Sequence, residues 1–174
     1  QSPYFVRKEI AHVLDTSPSK VRVREVFLGG GFGARSKVCE DEGICALLSI
    51  RTRRPVKITY SRKEELTATR IRHPMEIRIK TGVKKDGALV AREVDILTDN
   101  GAYSHAGPAV MGVAGSIAAS LYRVPNVRVH ARLVHTNKHY GGPFRGYGNP
   151  QMTFAIESQL DLIAKKLGVD PMDL

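Results

Sequence analysis

Apolar residues fall at helical spacing in some stretches of this chain and alternate strictly with polar ones in others. Val6, Ile10, Val13 and Leu14 share one face of a helix that Ser2 caps, Pro3 opens and the Thr16-Ser17-Pro18 turn stops. Val21 to Phe27 alternates as a strand. Residues 37 to 51, KVCEDEGICALLSIR, predict a second helix, and Val56 to Tyr60 a second strand. Residues 75–83 and 88–98 alternate on either side of KKDG, where Asp86-Gly87 supplies the positive φ angles of a hairpin turn. VMGVAGSIAASLY predicts a small-residue helix able to pack closely, and Val127 to Leu133 another strand. Ile156, Leu160, Ile163 and Leu167 then line a helix face that ends at Gly168, with Asp170-Pro171 opening a further helix.

These elements predict an α+β fold of mixed sheets with packed helices. No repeat, low-complexity tract or linker interrupts residues 1–174, which read as one region of a larger protein with two lobes, about 1–70 and 71–174. No apolar run reaches the roughly 20 residues that a bilayer requires, and QSPYFVRKEI lacks a signal peptide's basic-then-apolar order. The expected setting is cytoplasmic, with no membrane partner.

The charge is +10, from 27 Lys and Arg against 17 Asp and Glu. That calls for an anionic ligand or partner. The basic residues are spread through alternations such as VRVRE and VRVHARL, where they face water, and the sparse aromatics argue against nucleic acid as the partner. Cys39 and Cys45 are too few for a disulfide scaffold and lack metal-site spacing, so both read as buried thiols. His135 and His139 are four apart but not on a helix, and no metal ligand is assigned to this chain. Glu40, Asp41 and Glu42 stand where a helix dipole favours acidic groups.

Two glycine-rich loops concentrate the chemistry. Gly29 to Gly33, in FLGGGFGARS, lies between a strand and a helix, where free backbone N–H groups hold anionic oxygens. GGPFRGYGNPQ, from Gly141 to Gln151, precedes the last helix and sets Arg145 between two aromatics. The first loop is not a dinucleotide fingerprint: its glycines lack the G-x-G-x-x-G spacing and no acidic residue closes the following run. Nor is it a P-loop, since Ala34-Arg35-Ser36 stands where lysine and a hydroxyl residue belong. A nucleotide- or phosphate-binding module and a basic nucleic-acid-binding domain are the alternatives, and neither uses the second loop.

GGGFGARS, then RHP at Arg72 to Pro74, YRVPN before a strand, and finally PFRGYGNPQ resemble the molybdenum-binding large subunit of the xanthine dehydrogenase, aldehyde oxidase and 4-hydroxybenzoyl-CoA reductase family, over essentially the whole chain. The resemblance implies that Gly30, Gly31, Phe32 and Gly33 lie against a molybdopterin cofactor carrying molybdenum, as mononucleotide or cytosine dinucleotide. It further implies that Gln1 donates its amide to the metal's oxo group, and that Arg145 and Gly146 contact the cofactor through their backbone. Phe144 and Tyr147 would line the substrate funnel.

The family reaction is hydroxylation of an electron-poor carbon with water as oxygen source and a glutamate as general base. That glutamate is expected downstream of Leu174, so the resemblance implies no catalytic residue in this chain and an inactive isolated fragment. A 2Fe–2S centre and FAD would sit on other domains or subunits, which, with the remainder of the large subunit, are the expected partners. Purine-oxidising members carry a glutamate and an arginine where this chain has Ser36 and Val113, so the small-molecule substrate is expected among aldehydes, N-heterocycles and aryl-CoA thioesters.

Overall fold

The computed structural model describes residues 1–174. The chain divides into two compact units, Gln1–Thr69 and Arg70–Leu174. The first holds three helices: α1 (Pro3–Val13), α2 (Glu40–Thr52) and α3 (Arg62–Ala68), with a short 3-10 turn at Pro18–Lys20. Ser2 does stand at the N-cap of α1, but in left-handed backbone (φ 63°) and without a side-chain cap. Its carbonyl instead accepts the N–H groups of Phe5 and Val6. Helix α3 carries a capping signal in plain view: Ser61 N–H donates to Glu64 Oε2 (2.7 Å), and Glu64 N–H donates to Ser61 Oγ (3.3 Å).

Two expected strands of this unit do not form. Val21 to Phe27 and Val56 to Tyr60 belong to no sheet. Alternation prepares a segment for a ladder, and a ladder needs a hydrogen-bonding neighbour, which neither segment has. The thiols are likewise half-buried rather than buried. Cys39 stands at the N-cap of α2, where its N–H donates to Glu42 Oε2 (2.8 Å), and Cys45 Sγ lies 3.1 Å from the Val56 carbonyl oxygen.

The second unit is a three-stranded sheet, β1 (Met75–Val83), β2 (Leu89–Gly101) and β3 (Asn126–His135), with α4 (Gly107–Ser120) and α5 (Asn149–Leu167). Strands β1 and β2 pair antiparallel from Met75↔Thr98 to Val83↔Leu89, while β3 joins β2 in parallel after the α4 crossover. In the β1–β2 turn only Gly87 has positive φ (87°), and Gly87 N–H donates to the Lys84 carbonyl (3.1 Å). Asp86 instead accepts Ala88 N–H (3.0 Å), so the turn uses one glycine rather than an Asp-Gly pair in positive φ.

Inward-facing β2 residues read Arg92, Val94, Ile96, Thr98 and Asn100 in strict alternation. Val94 and Ile96 pack with Ala114 and Ala118 of α4 and with Met152, Ile156 and Leu160 of α5. Each large apolar side chain buried in this way stabilises the fold by about 1.5–3 kcal/mol. Both ends of the core are polar. At one end Arg92 lies 5.9 Å from the Tyr122 ring, whose hydroxyl donates to Glu157 (2.9 Å); at the other stand His73, Thr98 and Asn100. At Asp170-Pro171 the structure shows a single turn, in which Asp170 Oδ1 takes the Met172 N–H (2.8 Å) and the Asp170 carbonyl takes the Asp173 N–H (3.0 Å), the bonds that open a helix. No helix is long and apolar enough to cross a membrane.

Candidate functional site

The first glycine loop is built as a tight turn. Ala34 N–H donates to the Gly31 carbonyl at 2.9 Å, and the two residues between, Phe32 and Gly33, have φ 48° and 100°. Two successive positive φ angles are the signature of a type I′ turn, in which an aromatic is an unusual first central residue. Phe32 remains 59% exposed.

Two of the neighbouring glycines, Gly30 and Gly31, lie against side chains of the same unit. A Cβ on Gly30 would meet the Phe32 ring at 2.5 Å, and one on Gly31 would meet Gln1 Oε1 at 2.5 Å, whereas nothing lies within 4 Å of one on Gly29. Gly33 N–H donates to that same Gln1 Oε1 at 3.2 Å. The bond fixes which end of the carboxamide the loop receives and turns the donor end, Nε2, away from Gly33. Ser36 Oγ donates to the Gly33 carbonyl (2.8 Å), so its hydroxyl proton braces the loop. Gln1 also lines a cavity of about 320 Å³ with Val6, Arg24, Arg35 and Glu42.

The second loop repeats the turn. Asn149 N–H donates to the Gly146 carbonyl at 2.9 Å, and Tyr147 and Gly148 between them have φ 53° and 99°. Gly-Phe-Gly and Gly-Tyr-Gly therefore fold alike. Immediately before, Tyr147 N–H closes a turn on the Phe144 carbonyl (2.8 Å) with Gly146 at φ 90°, the third-position glycine of a type II turn. Gly148 is held close to α4: a Cβ there would run into the Val110 carbonyl oxygen. Val113 lies half-buried in the adjoining turn of that helix.

Residues 70–73 back this loop one by one. Ile71 bridges to Gly141 in parallel fashion and accepts Gly142 N–H at 2.9 Å. The Arg70 stem lies where a Gly142 Cβ would be (2.7 Å to Cδ), and the His73 ring where a Gly141 Cβ would be (2.5 Å to Cδ2). Arg70 NH1 also lies 2.6 Å from His105 Nε2. The Arg72 guanidinium sits 4.4 Å from the centre of the Phe144 ring, donates to the Arg145 carbonyl (2.8 Å) and reaches Gln151 Oε1 (3.3 Å). Gln151 Nε2 completes the circuit by donating to the His73 carbonyl (3.1 Å).

Burial holds the His73 imidazole below its ordinary pKa, against smaller opposing effects of Asn100 and Asp99, so the ring is neutral near pH 7. Asp99 itself is held below the usual carboxylate range by bonds from Thr136 Oγ1 and Gly101 N–H, with Lys138 adding a lesser effect.

Neither loop contains an acidic residue. Their polar donors are main-chain N–H, hydroxyl, carboxamide and guanidinium groups, a set suited to anionic and oxo oxygens. No group of three His, Cys, Asp or Glu side chains is disposed to hold a metal ion. Gln1, Gly30, Gly31, Phe32, Gly33 and Ser36 come together around one turn, and Phe144, Arg145, Gly146 and Tyr147 around the other. Arg70, Arg72 and His73 had no assigned role from sequence; the RHP motif was the only signal for Arg72 and His73, and nothing in the sequence marked Arg70.

The whole chain, residues 1–174, matches the molybdopterin cofactor-binding domain family. It is 44% identical over 177 residues to the nicotinate dehydrogenase large molybdopterin subunit of Eubacterium barkeri, covering all of this chain and 41% of that one. Among solved structures, the aldehyde oxidoreductase from Desulfovibrio gigas superposes with a TM-score of 0.90 at 36% identity, covering 99% of this chain and 19% of that one. Quinoline 2-oxidoreductase from Pseudomonas putida 86 gives 0.89 at 29% identity, covering 98% and 22%. The chain thus spans less than half the length of these relatives. With two acid-free glycine turns and a match along its full length, the chain belongs to the molybdopterin cofactor-binding domain family of molybdenum oxidoreductases.

Proposed function

We propose that this chain is the part of a molybdenum hydroxylase large subunit that holds molybdopterin and walls its substrate funnel. The observation that carries the reading is the repeated Gly-aromatic-Gly turn, with Phe32 and Tyr147 each in left-handed backbone. Such backbone costs an aromatic residue about 1 kcal/mol or more and persists where the surroundings dictate it, most often at ligand sites.

The residues present fit the cofactor by their chemistry. Gln1 Nε2, the backbone of Gly30, Gly31 and Gly33, and the backbone of Arg145 and Gly146 would hold it, with no carboxylate in either loop to repel its oxygens. When bound, the molybdenum–pterin group supplies two-electron oxidation with oxygen drawn from water. This chain's residues would orient the group and flank a flat substrate with Phe32, Phe144 and Tyr147. The general-base glutamate, the 2Fe–2S centre and FAD would come from the rest of the subunit and from partner domains or subunits, in a cytoplasmic enzyme. Ser36, whose proton is committed to Gly33, and the apolar Val113 argue against a purine. An N-heteroaromatic compound is the substrate class favoured by the likeness to nicotinate dehydrogenase and quinoline 2-oxidoreductase.

The test is molybdenum and pterin analysis of the full-length subunit purified with its partners, followed by turnover of nicotinate, quinoline and benzaldehyde in oxygen-18 water. Pterin and molybdenum near one per subunit, with label in the product, support the reading. Their absence with the partners present overturns it.

A further inference from the structure

We propose that Arg72 is a positioning residue for the cofactor-facing backbone of the second glycine loop, an inference that rests on the function proposed above. The peptide between Arg145 and Gly146 is the central peptide of the Phe144–Tyr147 turn. Types I and II of such a turn differ chiefly in which way that peptide is flipped, and glycine at Gly146 (φ 90°) permits the flip seen here.

Arg72 holds it there. NH2 donates to the Arg145 carbonyl at 2.8 Å while the guanidinium carbon lies over the Phe144 ring, 4.4 Å from its centre, and NH1 reaches Gln151 Oε1. All peptides in the chain are trans, so a carbonyl pointing at Arg72 sends the N–H on the same peptide, that of Gly146, in the opposite direction. Arg72 thus directs a main-chain donor away from itself without touching whatever that donor serves. A guanidinium is suited to the task because one rigid planar fork covers an aromatic face and donates in two fixed directions at once; lysine, a point charge on a flexible stem, offers donors without that fixed fork. Gln151, tied on its other side to the His73 carbonyl, holds the second arm of the fork.

The experiment uses the full-length subunit with its partners and compares wild type, Arg72→Lys, Arg72→Ala and the distant surface variant Lys84→Ala. Pterin release on dilution is followed by fluorescence, and far-UV circular dichroism and thermal midpoint report the fold. Loss of the two charge-assisted bonds is expected to speed pterin release about tenfold or more in Arg72→Lys and Arg72→Ala, with Lys84→Ala unchanged. Millimolar guanidinium, well below denaturing strength, is expected to slow release again in Arg72→Ala and to leave Arg72→Lys unimproved. A merely structural arginine would not give that selective rescue. Wild-type release rates in both Arg72 variants, with the fold retained, overturn the proposal, as does faster release that guanidinium leaves unchanged in Arg72→Ala. If Arg72→Ala fails to fold, Arg72→Lys alone decides: release at the wild-type rate overturns the proposal. Wild-type protein without pterin overturns the function proposed above instead.

Discussion

The His73 ring occupies the place where Gly141 would carry a side chain, with Cδ2 only 2.5 Å from an ideal Cβ position. Both residues are buried, so neither can move aside into solvent. Gly141→Ala is therefore expected to destabilise the second unit by about 1–3 kcal/mol, the range for overpacking a packed core. A double-mutant cycle with His73→Ala, read by urea denaturation, should recover 1 kcal/mol or more of that loss, by roughly the coupling expected of residues in contact. Simple additivity would contradict the contact.

His73 also predicts a pH dependence. Burial lowers its folded pKa below the unfolded value of about 6.5, so between the two values the unfolded chain binds the extra proton. Stability from this group is complete above about pH 6.5 and is lost as the pH falls toward the folded pKa. Urea midpoints at pH 7.5 and pH 5.0 should differ more in wild type than in His73→Gln.

Gly31→Ala separates folding from function. The atom its Cβ would strike is the far end of an exposed, flexible side chain, Gln1 Oε1, which can swing away at little cost. The expected stability change is within about 1 kcal/mol, as for a surface substitution. Displacing the carboxamide from Gly33 should nevertheless lower turnover of the loaded enzyme by about tenfold, roughly the net worth of one hydrogen bond. Unchanged turnover would remove Gln1 from the proposed site.

Phe32→Asn and Tyr147→Asn test why aromatics sit in left-handed backbone. Asparagine tolerates that conformation, so the fold should hold or gain up to about 1 kcal/mol. The flat walls would be lost, and KM for an aryl or heteroaryl substrate should rise about tenfold, the value of roughly one stacking contact. An unchanged KM in both variants would place the rings outside the substrate's reach.

Much of the second unit was legible in the order of residues. The β1–β2 hairpin, the parallel strand after a small-residue helix, and the α5 face through Ile156 and Leu160 are written in local periodicity, and local periodicity survives into the structure because one face of each element is buried. Helix α3 of the first unit was not expected from the sequence, although its Ser61–Glu64 capping box is a local signal. The two glycine loops announced themselves by composition, and their motifs carried the family resemblance.

Tertiary structure decided the rest, because it depends on contacts that no spacing encodes. Val21 to Phe27 and Val56 to Tyr60 have the pattern of strands without a ladder partner, and pairing is settled by what arrives alongside rather than by alternation. Gly141 and Gly142 are glycine because His73 and the Arg70 stem lie against them. Arg72 reaches the Arg145 carbonyl across 73 positions of chain, a meeting made by the Ile71–Gly141 bridge and the sheet below it. The residue order supplied the groups and the local turns; only the folded chain determined which arginine would hold which peptide, since that choice is a matter of long-range geometry.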